Sequence, residues 1–219
     1  MTDDDFAKVD AYIEERLLGA DPVLAAVLKA NADGGLPAID VSPAQGRLLT
    51  VYARMTNAKR ILEIGTLGGY STICMARGLP ADGHIDTCEF SPKHAEVARA
   101  NFVRAGVADK IAVHVGPALD TLPKLLGGAP YDLVFIDADK ENNANYLGWA
   151  LKLTRPGSVI ICDNVVREGR VLEAASSNGA IIGTRALYDA IAREPRLTAT
   201  AIQTAGAKGW DGFAIAVVD

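Results

Sequence analysis

The sequence predicts an α/β fold, a doubly wound sheet that is mostly parallel with one antiparallel strand near the C-terminus, plus N-terminal helices. Three observations predict it. From Lys59 onward, short β-rich runs alternate with stretches of helical periodicity. Capping residues stand at several of the boundaries, as in Ser91-Pro92, an N-cap followed by proline at the first helical position. After Cys162 the alternation stops, and two strand-like runs follow a single helix.

Taken in order, Phe6, Val9, Ile13 and Leu17 fall at helical spacing and give residues 3–18 one apolar face. Asp21-Pro22 starts a second helix that ends near Gly34-Gly35, and Ser42-Pro43 starts a third. These helices cannot join a sheet. They must pack against it, cover a ligand crevice or bury their faces in another subunit.

Residues 60–64, 84–88, 111–115, 131–136 and 158–162 read as strands. Residues 70–79, 92–106, 118–126 and 142–153 read as the helices between them, with Gly106 closing the second. Such regular alternation implies a parallel sheet covered on both faces. A helix over about 184–193 and strands at 198–204 and 213–218 complete the chain. The connector at 205–212 holds three glycines and is too short for a parallel crossover, so these strands are expected to form an antiparallel hairpin at a sheet edge.

Composition narrows the function. With 219 residues, 49% of them hydrophobic, the chain can bury a large core. No apolar run approaches the roughly 18 residues of a membrane span. Residues 1–5 carry three aspartates and no basic residue, unlike a secretory or transit signal, so a cytoplasmic location and no membrane partner are expected. Net charge is −5 with scattered Lys and Arg, which argues against a nucleic-acid partner. Cys74, Cys88 and Cys162 lie far apart and read as buried thiols. His84, His94 and His114 form no metal-ligand spacing and are assigned structural or surface roles.

In open α/β sheets ligands bind beyond the carboxyl ends of the strands. The first strand ends in Glu63-Ile64-Gly65-Thr66-Leu67-Gly68-Gly69-Tyr70-Ser71, where glycines allow a sharp turn and a helix start presents free N–H groups to an anion. The second strand ends at Glu89, placed to accept the hydroxyls of an adenosine ribose. The dinucleotide fingerprint is absent, so the pattern favours a nucleoside ligand without a pyrophosphate. S-adenosylmethionine fits, with its amino and carboxylate groups at the first loop and its ribose at Glu89.

The fourth strand ends in Asp137-Ala138-Asp139-Lys140 and the fifth in Asp163-Asn164. Acidic residues after a strand often only cap the next helix. Two such motifs at neighbouring strand ends favour a site instead. Two carboxylates and an amide oxygen suit Mg2+ first, with Mn2+ or Ca2+ as alternatives, and leave positions open for a vicinal diol. Lys140, three residues beyond Asp137, is a candidate general base, because a neighbouring cation and sulfonium would depress its pKa.

At these residues the chain resembles the metal-dependent O-methyltransferases of the catechol and caffeoyl-CoA type, bacterial subgroup. The resemblance runs from about Val41 to Asp219. It rests on Val41-Ser42-Pro43-Ala44-Gln45-Gly46, Leu62-Glu63-Ile64-Gly65 with Gly69-Tyr70-Ser71, Gly116-Pro117-Ala118, Asp137-Ala138-Asp139-Lys140 and Asp163-Asn164-Val165.

It implies a Rossmann-like methyltransferase domain spanning 1–219, with residues 1–56 as helices for capping or dimerisation and 57–219 as the S-adenosylmethionine-binding core. It implies metal ligands Asp137, Asp163 and Asn164, with Lys140 as base. Around the cofactor it places Val41, Glu63, Gly65, Thr66, Ser71, Glu89, Ala118 and Asp137. It also implies a homodimer and a small phenolic acceptor, catechol-like or hydroxycinnamoyl-type. The segment Val165-Val166-Arg167-Glu168-Gly169 lacks an aromatic residue that many relatives carry, and Lys208-Gly209-Trp210-Asp211-Gly212 looks like the bacterial subgroup. Both bear on acceptor identity. Two rival readings are an NAD(P)-dependent oxidoreductase and a non-catalytic S-adenosylmethionine-binding protein.

Overall fold

A computed structural model describes residues 3–219. The elements follow the expected order: α1 (Asp3–Ile13), α2 (Pro22–Asp33), α3 (Pro43–Met55), β1 (Arg60–Ile64), α4 (Tyr70–Ala76), β2 (His84–Glu89), α5 (Pro92–Arg104), β3 (Ile111–Val115), α6 (Ala118–Thr121), β4 (Tyr131–Ile136), α7 (Asn143–Leu153), β5 (Thr154–Asp163), α8 (Gly179–Arg193), β6 (Leu197–Gly206) and β7 (Gly209–Val218). Three of the N-caps act as the sequence requires. Asp21, Ser42 and Ser91 each accept a backbone N–H from the residue three positions on, and a proline follows each cap.

The seven strands form one sheet in the order β3-β2-β1-β4-β5-β7-β6. β1 to β5 are mutually parallel, and β7 runs antiparallel to both β5 and β6. Only β7 is reversed, and the edge strand β6 points the same way as β5. Strand order reverses between β1 and β4, which leaves a crevice outside their carboxyl ends.

The two faces of the sheet carry separate cores, because side chains alternate along each strand. Ile61, Ile85, Leu133, Phe135 and Ile161 pack under Val27, Leu49, Ile73 and Phe102 from α2 to α5. Leu62, Ile64, Val134, Ile136 and Ile160 pack under Leu122, Tyr146, Leu147 and Leu187. Burying each such large apolar side chain contributes roughly 1.5–3 kcal/mol, so the parallel strands are the rigid base on which the crevice stands.

Several boundaries differ from expectation for identifiable reasons. The helix expected over 118–126 stops at Thr121 because Pro123 removes a backbone donor, and 3-10 turns carry the chain to Gly128. The first helix changes to a π-turn over Glu14–Leu18. β5 begins at Thr154, before Pro156 and the left-handed Gly157, with a register shift against β4. The 205–212 connector is mostly strand: pairing continues to Gly206 and Gly209, leaving the two-residue turn Ala207-Lys208. α8 starts at Gly179, capped by the Asn178 side chain. A β-carbon at Gly183 of α8 would overlap the Lys140 carbonyl oxygen, so this glycine lets the helix press directly on the turn that carries Lys140.

Candidate functional site

The strand registers build the site. Ile64 pairs with Cys88 on β2 and with Ile136 on β4, and Ile136 pairs with Cys162 on β5. The next residue on each strand is therefore Glu89, Gly65, Asp137 or Asp163, forming one row across the carboxyl end of the sheet. These four residues line a cleft of about 950 Å3. Val41, Thr66, Ser71, Ala118, Lys140 and Asn164 line it as well. A smaller cavity of about 400 Å3 among α2, α3 and α4 shares only Tyr70 with it and holds none of that row.

Gly65 shows how tightly the row is assembled. Its φ is +104°, and a β-carbon there would overlap the Asp137 carbonyl oxygen. Its N–H donates to the Cys88 carbonyl at 3.0 Å, and Asp137 N–H donates to the Ile64 carbonyl at 2.8 Å. The turn after β1 is thus clamped between β2 and β4.

Glu89 is buried and already engaged. Its Oε2 accepts the N–H groups of Thr66 at 3.3 Å and Leu67 at 2.8 Å, and its Oε1 accepts that of Ser91 at 2.9 Å. A carboxylate has about four acceptor positions, so three backbone donors leave limited capacity for a ribose. His94 Nδ1 stands 3.3 Å from the same Oε1 and lines the cleft, a position that spacing alone assigned to structure or surface. The helical offset from the Ser91 cap would have found it, since His94 sits on the first turn of α5 facing the end of β2.

Glu63 is placed differently from the other cofactor candidates. It is fully buried behind the cleft wall and does not line it. Its carboxylate accepts hydroxyl hydrogen bonds from Ser71 and Thr87, each at 2.6 Å, and a short one from Thr72. Burial pushes its pKa up to about 7, against the pull of these three donors. Glu63 reaches the cleft only through Ser71, whose hydroxyl it holds.

At the other end of the row, Lys140 Nζ donates to Asp137 Oδ1 at 2.7 Å, and the lysine side chain is only 10% exposed. Its nearest charged partner is therefore an anion, a contact absent from the like-charge argument that singled it out. Asp163 is buried, and its Oδ1 accepts the Asn164 N–H at 2.8 Å. Burial, then the charge of Asp137, raises its pKa to about 7, while Lys140 and a hydrogen bond from Gln45 act in the opposite direction. Asn164 adopts φ +57°, a left-handed conformation that turns the chain sharply at the strand end. Among the described residues no group of three or more His, Cys, Asp or Glu side chains could hold a metal ion. The cluster here is two carboxylates and an amide, Asp137, Asp163 and Asn164, and all three line the cleft.

The comparisons with known proteins meet this geometry. The O-methyltransferase family profile matches residues 15–209. The chain belongs to the O-methyltransferase family. It is 55% identical over 210 residues to a catechol O-methyltransferase of Mycobacterium tuberculosis, covering 96% of this chain and 94% of that protein. It is 44% identical to a catechol O-methyltransferase of Niastella koreensis over the whole of both chains. The crystal structure of the O-methyltransferase from Bacillus cereus in complex with SAH superposes with a TM-score of 0.98 at 50% identity, covering all of both chains. That of the Streptomyces achromogenes O-methyltransferase TomG, involved in tomaymycin synthesis and in complex with SAM, gives 0.96 at 44% identity, covering 100% of this chain and 99% of that one.

This O-methyltransferase is accordingly an enzyme that uses S-adenosylmethionine and a small-molecule acceptor, and its α/β sheet is that of its structural neighbours. Family membership decides against both the oxidoreductase and the non-catalytic reading. Among the described residues no helix is long and apolar enough to cross a membrane. The remaining two histidines of the methyltransferase are structural: His84 and His114 flank the buried Asp86, which also accepts from Tyr131 and Arg60.

Proposed function

We propose that this O-methyltransferase moves the methyl group of S-adenosylmethionine to one hydroxyl of a catechol-like or hydroxycinnamoyl-type phenol with the help of a divalent cation. The observation that carries the reading is the single row of Glu89, Gly65, Asp137 and Asp163 along one cleft. It supports reading one end of the cleft as a nucleoside pocket beside an all-oxygen donor cluster.

In this reading Val41, Gly65, Thr66, Ser71, Glu89 and Ala118 surround the cofactor, with Asp137 touching cofactor and metal alike. Glu63 acts from behind, fixing the Ser71 hydroxyl. Asp137, Asp163 and Asn164 would hold the cation. Their donor set fits a hard ion such as Mg2+, Mn2+ or Ca2+, and so does the electrostatics: burial and the nearby charge of Asp137 both raise the Asp163 pKa, a cost that a bound cation would relieve. When bound, the cation would supply Lewis-acid stabilisation of an ionised acceptor oxygen. Lys140 Nζ, which bonds to Asp137 Oδ1, serves as the base for the hydroxyl proton. The rigid strand ends keep donor and acceptor in line, which is the main task left to the protein.

The helices of residues 1–56 cover the cleft or meet a second subunit, and residues 57–219 form the cofactor-binding core. Exposed Val9, Tyr12 and Leu17 on the first helical stretch fit a homodimer, and a cytoplasmic location fits the composition. A methyl-transfer assay with catechol and S-adenosylmethionine tests the central claim. Turnover should need added Mg2+ or Mn2+, stop with a chelator, and fall at least about a hundredfold in Asp163→Ala. Full activity in the chelated enzyme or in that variant would overturn the metal's role.

A further inference from the structure

The hydrogen bonds around Glu63 fix where hydroxyl protons point, and with them the chemistry that the inner cleft offers. Ser71 donates to Glu63 Oε1 at 2.6 Å, Thr87 donates to Oε2 at 2.6 Å, and Thr72 makes a short bond to the same oxygen. Thr87 Oγ1 also stands 2.6 Å from Thr66 Oγ1, which extends the network by one more hydroxyl. Each hydroxyl has one proton, and an ionised carboxylate only accepts. While Glu63 is ionised, Thr87 gives its proton to Glu63, so Thr66 must give its own to Thr87. Every hydroxyl proton of the network then points inward. Ser71 and Thr66 line the cleft, and both turn only lone pairs towards it.

A proton on Glu63 reverses this. Bound at Oε1, it is donated to Ser71 Oγ, and the Ser71 proton swings into the cleft as a free donor. Burial, the largest cause, and the charge of Asp137 on β4 both favour the protonated form, while the three hydroxyl bonds oppose it. The other titratable neighbours are Cys74 on α4 and Cys88 on β2, whose thiols burial pushes up to about 12 and keeps neutral. The methionine end of S-adenosylmethionine brings an ammonium and a carboxylate. On the inner row the ammonium would find Asp137, but the lysine there, Lys140, is already paired with Asp137. The carboxylate must therefore rely on neutral donors, and a protonated Glu63 supplies one through Ser71.

We infer that Glu63 is a positioning residue that takes up a proton when the cofactor binds: protonated, it turns the Ser71 hydroxyl outward to donate to the cofactor's carboxylate. This rests on the proposed pocket, with the amino-acid end of S-adenosylmethionine at the loop after β1. Cofactor binding and protonation of Glu63 are then one linked equilibrium, in which each favours the other. The ionised form meets the carboxylate with lone pairs on Ser71 and a buried negative charge behind them. With Glu63 titrating at about 7 in the fold, affinity is constant at low pH and falls as pH rises through that value, because the proton must first be taken from solvent.

Calorimetry with S-adenosylhomocysteine from pH 6 to 8.5, without metal or acceptor, tests this. Comparing HEPES with Tris, which differ in ionisation enthalpy, reads the protons taken up. In the wild type Kd should weaken about tenfold or more over that range, with uptake approaching about one proton per ligand at its upper end. Glu63→Gln, whose NH2 donates to Ser71, should bind within about threefold of the wild type at pH 6 and lose both effects. Ser71→Ala should bind about tenfold more weakly at pH 6 and lose them too. Asp163 and His94 also line the cleft, so the effect is read as the difference between wild type and variants. Uptake that is absent from the wild type, or unmoved in both variants, overturns the inference. So does an affinity that rises with pH, which places the ammonium on Ser71; methyl transfer stands in each case. The decarboxylated analogue 5′-(3-aminopropylthio)-5′-deoxyadenosine should bind without proton uptake. If it matches S-adenosylhomocysteine in the wild type at every pH, the amino-acid end is not at this loop, and the pocket reading falls as well.

Discussion

Replacing Glu63 by glutamine should change how stability depends on pH, in a direction the structure fixes. Glu63 is fully buried, and its pKa is about 7 in the fold against 4.5 for an ordinary glutamate. A raised carboxyl pKa means that the folded protein binds a proton which the unfolded chain releases. Stability from this group is therefore complete below about pH 4.5 and is lost as pH rises to about 7, beyond which the loss is constant. At 1.36 kcal/mol per pH unit, that interval comes to about 3 kcal/mol. Glutamine keeps the size and one acceptor oxygen, which can face Thr72 and Thr87 while its NH2 donates to the Ser71 hydroxyl, and it has no proton to lose. Thermal unfolding of both proteins from pH 4 to pH 9, without cofactor, reads the effect as a difference, so groups common to both cancel. For a chain of 219 residues, about 3 kcal/mol corresponds to a shift of roughly 6–12 °C in the Tm gap, moving in favour of Glu63→Gln as pH rises. Parallel Tm curves across that range would refute the reasoning, and so would a gap moving the other way.

Three other substitutions read separate parts of the framework. Gly65→Ala forces a side chain into a φ of +104° and onto the Asp137 carbonyl; it should destabilise the fold by about 3 kcal/mol or more and abolish the thermal shift given by S-adenosylhomocysteine. Asp211→Ala frees the N–H groups of Val166 and Arg167; acceptor kcat/KM should fall about tenfold, while calorimetry finds cofactor affinity retained. Tyr131→Phe removes one donor from the buried Asp86 at the opposite end of the sheet; urea denaturation should register a loss of about 1 kcal/mol, with turnover unchanged.

The fold was legible where local chemistry and periodicity agreed. Ser91-Pro92 and Gly106 bracket a helix whatever surrounds them, and the buried runs of β1, β2 and β4 are bounded by turns the sequence announces. Legibility failed where a long-range contact decides. Gly179 and Gly183 precede the helix expected from about 184, yet both lie in α8, where Gly183 packs closely on the Lys140 turn in a way that no nearby residue reveals. The glycines of the 205–212 connector suggested an open loop, yet most of it pairs as strand, since Gly206 and Gly209 flank a turn of only two residues.

The same division explains the site. A residue just past a strand end has its position set by sheet register, and register follows from the apolar runs; this is why Gly65, Glu89, Asp137 and Asp163 could be grouped from sequence before any distance was known. Glu63 sits two residues before Gly65 on the same strand. It precedes Ile64, whose side chain packs into the core, so alternation along β1 sends the carboxylate to the other face of the sheet, among Ser71, Thr72 and Thr87. Distance below the strand end therefore separates Gly65, which lines the cleft, from Glu63, which shares its parity but braces the wall from within the sheet. Arg167 obeys no such rule. Its place depends on Asp211, 44 residues further on, accepting two N–H groups from a left-handed loop. The row at the strand ends is thus written in local sequence, whereas the loop after β5 is set by a contact between distant segments. On the proposed function, substitutions in that loop or at Asp211 can reshape the cleft wall without disturbing the row at the strand ends.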